Sequence, residues 1–544
     1  MSLTDNLREM EQTREGYWRR YPKTSPIRLR WRALTVRHCL HVLPGESILE
    51  VGAGTGLWTA HLAQVLRGEN PITAAVFNPG FMCVAAQRRL KNVQFLHVND
   101  LNTDLTPESF DYIVGSAILC HNLYAMNLQA LYRLLKPGGQ VLFFEANHWN
   151  PQVFLKDRIQ WFGRLAGQAS CQRGMRRYEL MQTASRQGFT HIEVVPYDIL
   201  HPLTPNRLIP AITSLAFILE HAPVIREVCG TLYIWLKKPG DEQARRPSVS
   251  LATNPRLYSS TSVVVPCHNE EMNVGPLVSE LLKRYDAYIH EIIIVDDNST
   301  DRTAAVTRQL SGSEPRIKLI QRAPPGGVGR ALRDGYAAAT GRYILTMDSD
   351  FALITPELRD LFEVVADGHD GAIGSRFSQE SVLINYPFMK IICNRAFHLL
   401  ANLLIRRDFR DISNNLKLYR AEIFKQLIIE QPGFAANVET GLRPLMAGYD
   451  IAEVPMSWIN RTLDMGSSSF RVLRVAPDYM AALLKLVVAD WRNRRARCSR
   501  FRLARTNNGV VVQGIGASKW AGDDRLAGSA MAQGEPYCAR RGPI

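Results

Sequence analysis

Two aspartates at a spacing of two residues, Asp348 and Asp350, are the side chains in this sequence best suited to metal chemistry. They follow an apolar run, 343–347, that predicts a buried strand. Alternate side chains of an extended chain leave the same face, so we expect both carboxylates together at the strand end. Such a pair suits Mg²⁺ or Mn²⁺, and that cation suits a diphosphate. The same Asp-x-Asp tripeptide is also common in polar turns, so the surrounding residues have to distinguish a metal site from a turn.

Two earlier apolar runs also end in residues that could bind a ligand. The first run is followed by Pro266, His268, Asn269 and Glu270, and the second by Asp296 and Asp297. A Gly-rich loop containing Gly327 lies between the second run and the aspartate pair. Alternating strands and helices predict a doubly wound α/β sheet, in which parallel strands bring their carboxyl ends to one edge. Ligands bind at that edge, so we predict one site made of three strand ends and the loop.

This order of features, from Ser262 to Asp350, resembles the GT-A fold of family 2 glycosyltransferases. The resemblance implies that the first two strand ends and the loop bind a nucleotide-diphospho-sugar, of the GDP-mannose or UDP-glucose type. It further implies that Asp348 and Asp350 hold the metal and that Asp350 is catalytic. Two departures stand out: Ala352 replaces a frequent polar metal ligand, and the loop lacks the usual lysine.

The segments 374–377, 386–405, 410–420 and 451–461 then resemble dolichyl- or polyprenyl-phosphate mannosyltransferases and their glucosyl relatives. The resemblance implies a lipid-phosphate acceptor. A phosphate monoester is largely anionic near neutral pH, since its second pKa is about 6, and therefore needs no general base. It needs cations, for which the candidates are Arg376, Lys390, Arg395, Arg461 and Arg471, with Arg376 and Arg461 also assigned to catalysis. The Gly-x-Ser-Lys expected after Arg461 is replaced by a stretch without lysine.

The first half of the chain has its own glycine turn, Glu50-x-Gly52-x-Gly54-x-Gly56, directly after a short apolar strand. Glycines there permit a tight turn and a close approach of the backbone to a ligand. This region resembles class I S-adenosylmethionine-dependent methyltransferases, which implies a Rossmann-like fold and that cofactor. By the same resemblance Asn78 stands where an acidic residue contacts the ribose, and Asp100 stands near the adenine. His121 and His148 lie near strand ends, but the sequence assigns neither as a base.

Length, charge and cysteine content limit the cellular location and the partners that we expect. The chain has 544 residues, a net charge of +14 and nine cysteines without a metal-like spacing. A charged N-terminus predicts a cytoplasmic protein, and the charge suits phosphorylated substrates or an anionic membrane face. We expect peripheral membrane contact and no nucleic-acid partner, because no aromatic-basic recognition motif accompanies the basic residues. The helix predicted over 386–405 is either interfacial or buried, and charges at Lys390 and Arg395 argue against a membrane span.

The predicted organisation has four parts: 1–236, methyltransferase-like; 237–260, a linker; 261–491, GT-A; and 492–544, a basic, disordered tail. Two alternatives stay open. A glycosyltransferase that extends a polysaccharide or glycolipid hydroxyl, beside a degenerate methyltransferase domain, would need a base, with Glu439 and Asp411 as candidates. A membrane-surface scaffold with degenerate domains would bind no nucleotide sugar.

Overall fold

A computed structural model describes residues 3–119, 124–159, 173–352, 354–378, 380–384, 386–459 and 472–502. Residues up to Asp490 form one compact unit, and a second unit begins at Trp491. The first unit contains two seven-stranded sheets with helices around them, which confirms the predicted α/β class.

The first sheet has the strand order β3-β2-β1-β4-β5-β7-β6. Strands β1 to β7 are Ile48–Val51, Ile72–Val76, Val93–His97, Phe110–Ser116, Leu135–Ala146, His191–Tyr197 and Thr231–Lys237. Helices α1 to α8 are Leu3–Arg20, Ser25–Leu40, Leu57–Val65, Pro79–Ala86, Tyr124–Leu134, Pro151–Arg158, Arg177–Arg186 and Ile209–Leu219. Strands β1 to β5 are parallel, whereas β7 runs antiparallel between β5 and β6. The strand order reverses between β1 and β4, and ligands bind at such a switch point.

The second sheet has the order β10-β9-β8-β11-β14-β12-β15, and β13 pairs with β16 beside it. Strands β8 to β16 are Thr261–Cys267, Ile289–Asp296, Ile317–Gln321, Tyr343–Thr346, Gly371–Ser375, Leu383–Ile384, Lys417–Arg420, Ile451–Pro455 and Trp458–Ile459. Helices α9 to α17 are Glu242–Arg245, Glu271–Tyr285, Thr303–Ser313, Val328–Ala338, Leu358–Ala366, Phe388–Ile405, Ala421–Gln426, Ala436–Ala447 and Val472–Arg502. Its central parallel strands β8, β9 and β11 each contain a buried apolar run, as is typical of parallel strands covered on both faces.

The segment predicted as a linker, 237–260, contains α9 and is packed against the fold. Arg245 pairs with Asp111 of the first sheet at 2.5 Å, while Leu251 and Leu257 are buried in the core beneath the second sheet. Leu43 of the first domain belongs to that same core.

Ion pairs also join the two domains. Arg37 and Arg67, from the first domain, both reach Asp360 on α13. In the opposite direction Arg359 reaches Glu69 at 2.7 Å. Each domain therefore contributes both arginine and acidic side chains to this contact.

Helix α14 confirms the helix predicted over 386–405, and its outer face is apolar. Leu399 and Leu403 are each 73% exposed. By length and composition alone this helix could cross a membrane, contrary to the argument from its charges, and 28% of it is buried in the fold. Helix α17 continues past Trp491 to Arg502, through the basic stretch that was predicted to lie in the tail.

Candidate active sites

The strand ends of the second sheet meet as predicted. Strand β8 lies between β9 and β11 and is parallel to both, with Cys267 opposite Asp296. The residues that follow these three strands therefore share one edge. Pro266 is still within β8, opposite Val295.

Asp297 connects the end of β9 to the Gly-rich loop. Its Oδ1 accepts a hydrogen bond from Arg322 and its Oδ2 accepts one from the backbone N–H of Gly327. Gly327 has a φ of 143°, and a Cβ atom there would lie 2.3 Å from the oxygen of Pro432. Glycine is therefore required at this position of the loop.

Asp296 is fully buried, and its two carboxylate oxygens differ. Oδ1 accepts a hydrogen bond from the backbone N–H of Ser299 at 3.0 Å. Oδ2 has no hydrogen-bond partner in the part of the chain that the structure describes. Because a buried acceptor is costly to leave unsatisfied, this oxygen is suited to a ligand donor such as a nucleoside N–H or O–H.

The residues after β8 are fixed by contacts with the turn after β9. His268 Nδ1 lies 2.9 Å from the carbonyl oxygen of Asp297, and Asn269 Oδ1 accepts a hydrogen bond from Thr300 N–H at 2.8 Å. The backbone N–H of Glu270 donates to Thr303 Oγ1 at 2.8 Å. These bonds hold the two strand ends together as one surface.

Asp348 and Asp350 lie in a turn beyond β11, which ends at Thr346. The backbone N–H of Phe351 donates to the Asp348 carbonyl at 3.3 Å, as in a tight turn. The prediction of an extended backbone through this pair is therefore wrong, although both half-buried residues do lie at the predicted edge.

The donor set at this turn fits a hard divalent cation. Within the described residues, no group of three or more His, Cys, Asp or Glu side chains could hold a metal by itself. Mg²⁺ is commonly bound by one or two carboxylates together with substrate phosphates. Asp348 and Asp350 would supply the carboxylates of such a site.

Asn415 orients the first of these aspartates, and the sequence did not single it out. Its Nδ2 donates to Asp348 Oδ1 at 2.8 Å, and its Oδ1 accepts a hydrogen bond from Thr346 Oγ1 at 3.2 Å. At 3% exposure Asn415 is a buried amide held by both neighbours. The available signal was the pair of amides, Asn414-Asn415, two residues before a short strand.

Arg376 lies at the end of β12 and forms a two-pronged pair with Asp411. The distances are 2.6 Å from Nε to Oδ2 and 2.9 Å from Nη2 to Oδ1. Burial alone would raise the pKa of Asp411, but Arg376 holds it at about 2. The guanidinium also lies over the Trp458 ring at 5.5 Å, so Arg376 is held from several sides.

Arg395 and Arg376 both lie against the ring of Phe377. Their guanidinium carbons lie 5.6 and 5.7 Å from the ring centroid of Phe377. Lys390 is half-buried in the first turn of the same helix, α14. Arg461 and Arg471 fall outside the described residues, as does His121.

Lys417 is a second residue that sequence reasoning missed. It is fully buried in β14, and its Nζ donates to the carbonyl oxygen of Asn414. Burial lowers its pKa to about 7, although Asp411 and Asp348 act in the opposite direction. Because Asn415 contacts Asp348 and Asp411 contacts Arg376, the segment 411–417 links the aspartate turn to the cations.

The glycine turn of the first sheet also has the predicted form. Gly52, Gly54 and Gly56 have φ values of 73°, 57° and 74°, and α3 begins directly after them. Glu50, at 1% exposure, lies at the end of β1, and burial raises its pKa to about 7. The turn is thus built for close approach of a ligand to the backbone.

Asn78 and Asp100 follow β2 and β3 at the same edge. Both side chains accept a hydrogen bond from the backbone N–H two residues further on. Asn78 Oδ1 accepts from Gly80 N–H at 3.0 Å, and Asp100 Oδ1 accepts from Asn102 N–H at 2.9 Å. His148 follows β5, and its Nδ1 lies 3.5 Å from Asp157.

The cleft between these strand ends is filled by α1. Glu11 accepts hydrogen bonds from the backbone N–H groups of Gly54 at 2.9 Å and Asn78 at 2.7 Å. In this arrangement the polar backbone groups of the turn and of the neighbouring strand end are bound by the chain itself. Adenosylmethionine does not fit the cleft with α1 in place.

Comparison with known proteins agrees with this division of the chain. Residues 26–170 match the ubiE/COQ5 methyltransferase family, and residues 262–428 match the family described as Glycosyl transferase family 2. The chain is therefore a transferase in which a methyltransferase domain precedes a family 2 glycosyltransferase domain.

The sequence identity between this chain and individual relatives is low. A polyprenol monophosphomannose synthase of Mycolicibacterium smegmatis is 27% identical, over 41% of this chain and 85% of that protein. A dolichol-phosphate mannosyltransferase of Pyrococcus furiosus is 25% identical, over 47% of this chain and 70% of that protein. A solved structure of a SAM-dependent methyltransferase from Thermotoga maritima is 19% identical and covers 43% of this chain and 99% of its own, with a TM-score of 0.30.

Proposed function

We propose that the second domain transfers a sugar from a nucleotide-diphospho-sugar, of the GDP-mannose or UDP-glucose type, to a polyprenyl phosphate. The observation that carries this proposal is the segment 411–417, which joins the aspartate turn to a cation cluster through two contacts. Asn415 reaches Asp348 and Asp411 reaches Arg376. A donor diphosphate and an anionic acceptor would need this combination side by side.

The donor would lie along the shared strand edge. Asp296 offers an unsatisfied buried oxygen, and Asp297 holds the Gly-rich loop in place above the edge. Asp348 and Asp350 would hold Mg²⁺ or Mn²⁺, which as a Lewis acid would stabilise charge on the leaving diphosphate. In this role Asn415 keeps Asp348 pointed toward the site.

The acceptor would meet the cations around Phe377. Arg376 is paired with Asp411, and Arg395 beside the Phe377 ring and Lys390 on the same helix would add positive charge for the phosphate. A phosphate oxygen is already a nucleophile, and positioning it is enough.

The two candidate bases support a phosphate acceptor over a hydroxyl acceptor. Asp411 is fully buried and paired with Arg376. Glu439, at 2% exposure, accepts hydrogen bonds from the backbone of Glu430 and Gln431 at 2.9 Å. Neither carboxylate is available to take a proton from a hydroxyl.

A lipid acceptor also suits the outer face of α14. Met389, Leu399 and Leu403 are 59%, 73% and 73% exposed, on the helix that carries Lys390 and Arg395. An apolar face beside cations is expected to contact an anionic membrane surface. We propose peripheral contact at the inner face of the membrane.

For the first domain we propose S-adenosylmethionine as the methyl donor, with the glycine turn, Glu50, Asn78 and Asp100 at its binding site. The support is the turn geometry together with the ubiE/COQ5 match.

The experiment is transfer of a labelled sugar, from GDP- and UDP-sugars with Mg²⁺ or Mn²⁺, to polyprenyl phosphate or to a soluble glycan. We expect lipid-phosphate product from the native protein and almost none from Asp350→Asn. Asp367→Asn, an exposed aspartate of the same domain, is the matched control and should keep full activity. Product on the soluble glycan alone would contradict the acceptor, and unchanged turnover in Asp350→Asn would contradict the metal site.

A further inference from the structure

Helix α1 is inserted into the cleft of the first sheet. Glu11, Arg14 and Glu15 are 0%, 7% and 3% exposed, which is unusual for charged side chains. Leu7 and Met10 anchor the same helix in the core at 2% and 1% exposure.

Arg14 joins the ends of β1 and β4 at the switch point of the sheet. Its Nη1 donates to the carbonyl oxygen of Ser116 at 2.9 Å, and its Nη2 donates to the carbonyl oxygen of Gly52. This guanidinium therefore satisfies the two carbonyl groups that face each other across the switch point.

The two glutamates bind the donors of the same cleft. Besides its contacts with Gly54 and Asn78, Glu11 accepts a bond from the backbone N–H of Phe77 at 3.2 Å. Glu15 accepts a hydrogen bond from Thr55 Oγ1 at 2.5 Å, and a Cβ atom on Gly54 would lie 2.4 Å from its Oε1. The glycine turn is thus covered at contact distance by α1.

We propose that α1 and S-adenosylmethionine compete for this cleft, so that the methyl donor binds only when α1 has left it. The cofactor carries an ammonium group, a carboxylate, ribose hydroxyls and ring nitrogens. Its ammonium would replace Arg14 as a donor to carbonyl oxygens, and its acceptors would replace Glu11 at the backbone N–H groups. The inference rests on the proposed cofactor of the first domain.

The first domain stays attached to the second whether or not α1 moves. Residues 21–24 connect α1 to α2, and α2 carries Arg37 and His38, which contact Asp360 and Glu357 of the second domain. Release of α1 would therefore open the cleft while the interdomain contacts of α2 persist.

The test is calorimetry of the full-length protein with S-adenosylhomocysteine. The variant Glu11→Gln, Arg14→Gln, Glu15→Gln is expected to bind about tenfold more tightly if α1 closes the cleft in roughly nine molecules of ten. A control with Gln12→Ala and Arg19→Gln, on the exposed face of α1, should bind like the native protein.

Hydrogen exchange gives a second readout that needs no variant. Saturating S-adenosylhomocysteine should accelerate exchange of the α1 amides in the native protein. Binding with α1 still protected, or equal or weaker binding by the triple variant, would overturn the inference alone. No binding by any form would overturn the proposed cofactor, and the competition with it.

Discussion

His38 Nδ1, on α2 of the first domain, lies 3.0 Å from Glu357 Oε1, at the start of α13 in the second domain. Both side chains are almost completely buried, at 1% and 3% exposure. The same oxygen lies 3.4 Å from Nδ1 of His41, and the Glu357 carboxylate also accepts a hydrogen bond from the backbone N–H of Ser457 at 2.8 Å. A single buried carboxylate therefore joins the two domains.

This arrangement predicts how stability depends on pH. Burial alone would raise the pKa of Glu357, but His38 and His41 hold it well below its usual value. The folded state then binds fewer protons than the unfolded chain, whose glutamate pKa is about 4.3. The stabilisation is therefore present above about pH 4.3 and is lost as the pH falls through the lower, folded pKa.

We expect Glu357→Gln to lower the free energy of unfolding near neutral pH by about 1–3 kcal/mol, because the buried contacts of this carboxylate with His38 and with the backbone N–H of Ser457 are lost or weakened. The difference from the native protein should shrink as the pH falls below about 4. Urea unfolding over a pH series measures it. Glu363→Gln, whose carboxylate is 45% exposed, is the control and should cost less than about 1 kcal/mol. If Glu357→Gln lowered the free energy of unfolding by the same amount at every pH, the lowered pKa of Glu357 would be contradicted.

Asn415 should act on metal affinity through Asp348. Loss of a group that orients a metal ligand typically weakens binding by roughly 10- to 100-fold. We expect Asn415→Leu to raise the Mn²⁺ concentration needed for half-maximal nucleotide-sugar binding by about that factor. Asn102→Leu, at an exposed site in the first domain, should leave it unchanged. If the Asn415 variant bound Mn²⁺ normally, the contact would be structural only.

Arg376 should not be replaceable by lysine. Its planar guanidinium meets Asp411 with two nitrogens and lies over Trp458, a geometry that an ammonium group does not reproduce. We expect Arg376→Lys to raise the KM for polyprenyl phosphate while nucleotide-sugar binding is retained. Arg308→Lys, a solvent-facing arginine on α11, is the control. Equal damage to donor and acceptor binding would point to general disruption of the domain.

Much of the site in the second domain could be predicted because its residues come directly after the ends of strands. The apolar runs 263–265 and 292–295 show that two parallel strands end shortly after them, at Cys267 and Asp296, and the topology then places the residues that follow at one edge. Asn415 and Asp348 are 67 positions apart, and their contact depends on β14 running antiparallel beside β11. Local pattern contains no information about such a pairing, so Asn415, the residue that orients Asp348, was missed.

The first site shows a different limit. The glycine turn and Glu50 are local features, and their conformation was predicted correctly. Glu11 and Arg14 are charged residues of a helix near the N-terminus, and nothing in the local pattern indicates that they enter the cleft of the sheet. Their burial depends on how α1 docks, which is a tertiary property.

The exposed face of α14 should determine membrane binding. Leu399 and Leu403 lie one helical turn apart and are each 73% exposed, and full burial of a leucine contributes about 1.5–3 kcal/mol. We expect Leu399→Asp with Leu403→Asp to reduce co-sedimentation with anionic vesicles at least about tenfold, since each aspartate also opposes the surface charge. Tyr178→Asp with Met181→Asp, on α7 of the first domain at 75% and 40% exposure, is the matched control for lost apolar surface. Equal loss in both variants would assign membrane binding to general apolar surface, and unchanged binding of the α14 variant would exclude this face as the contact.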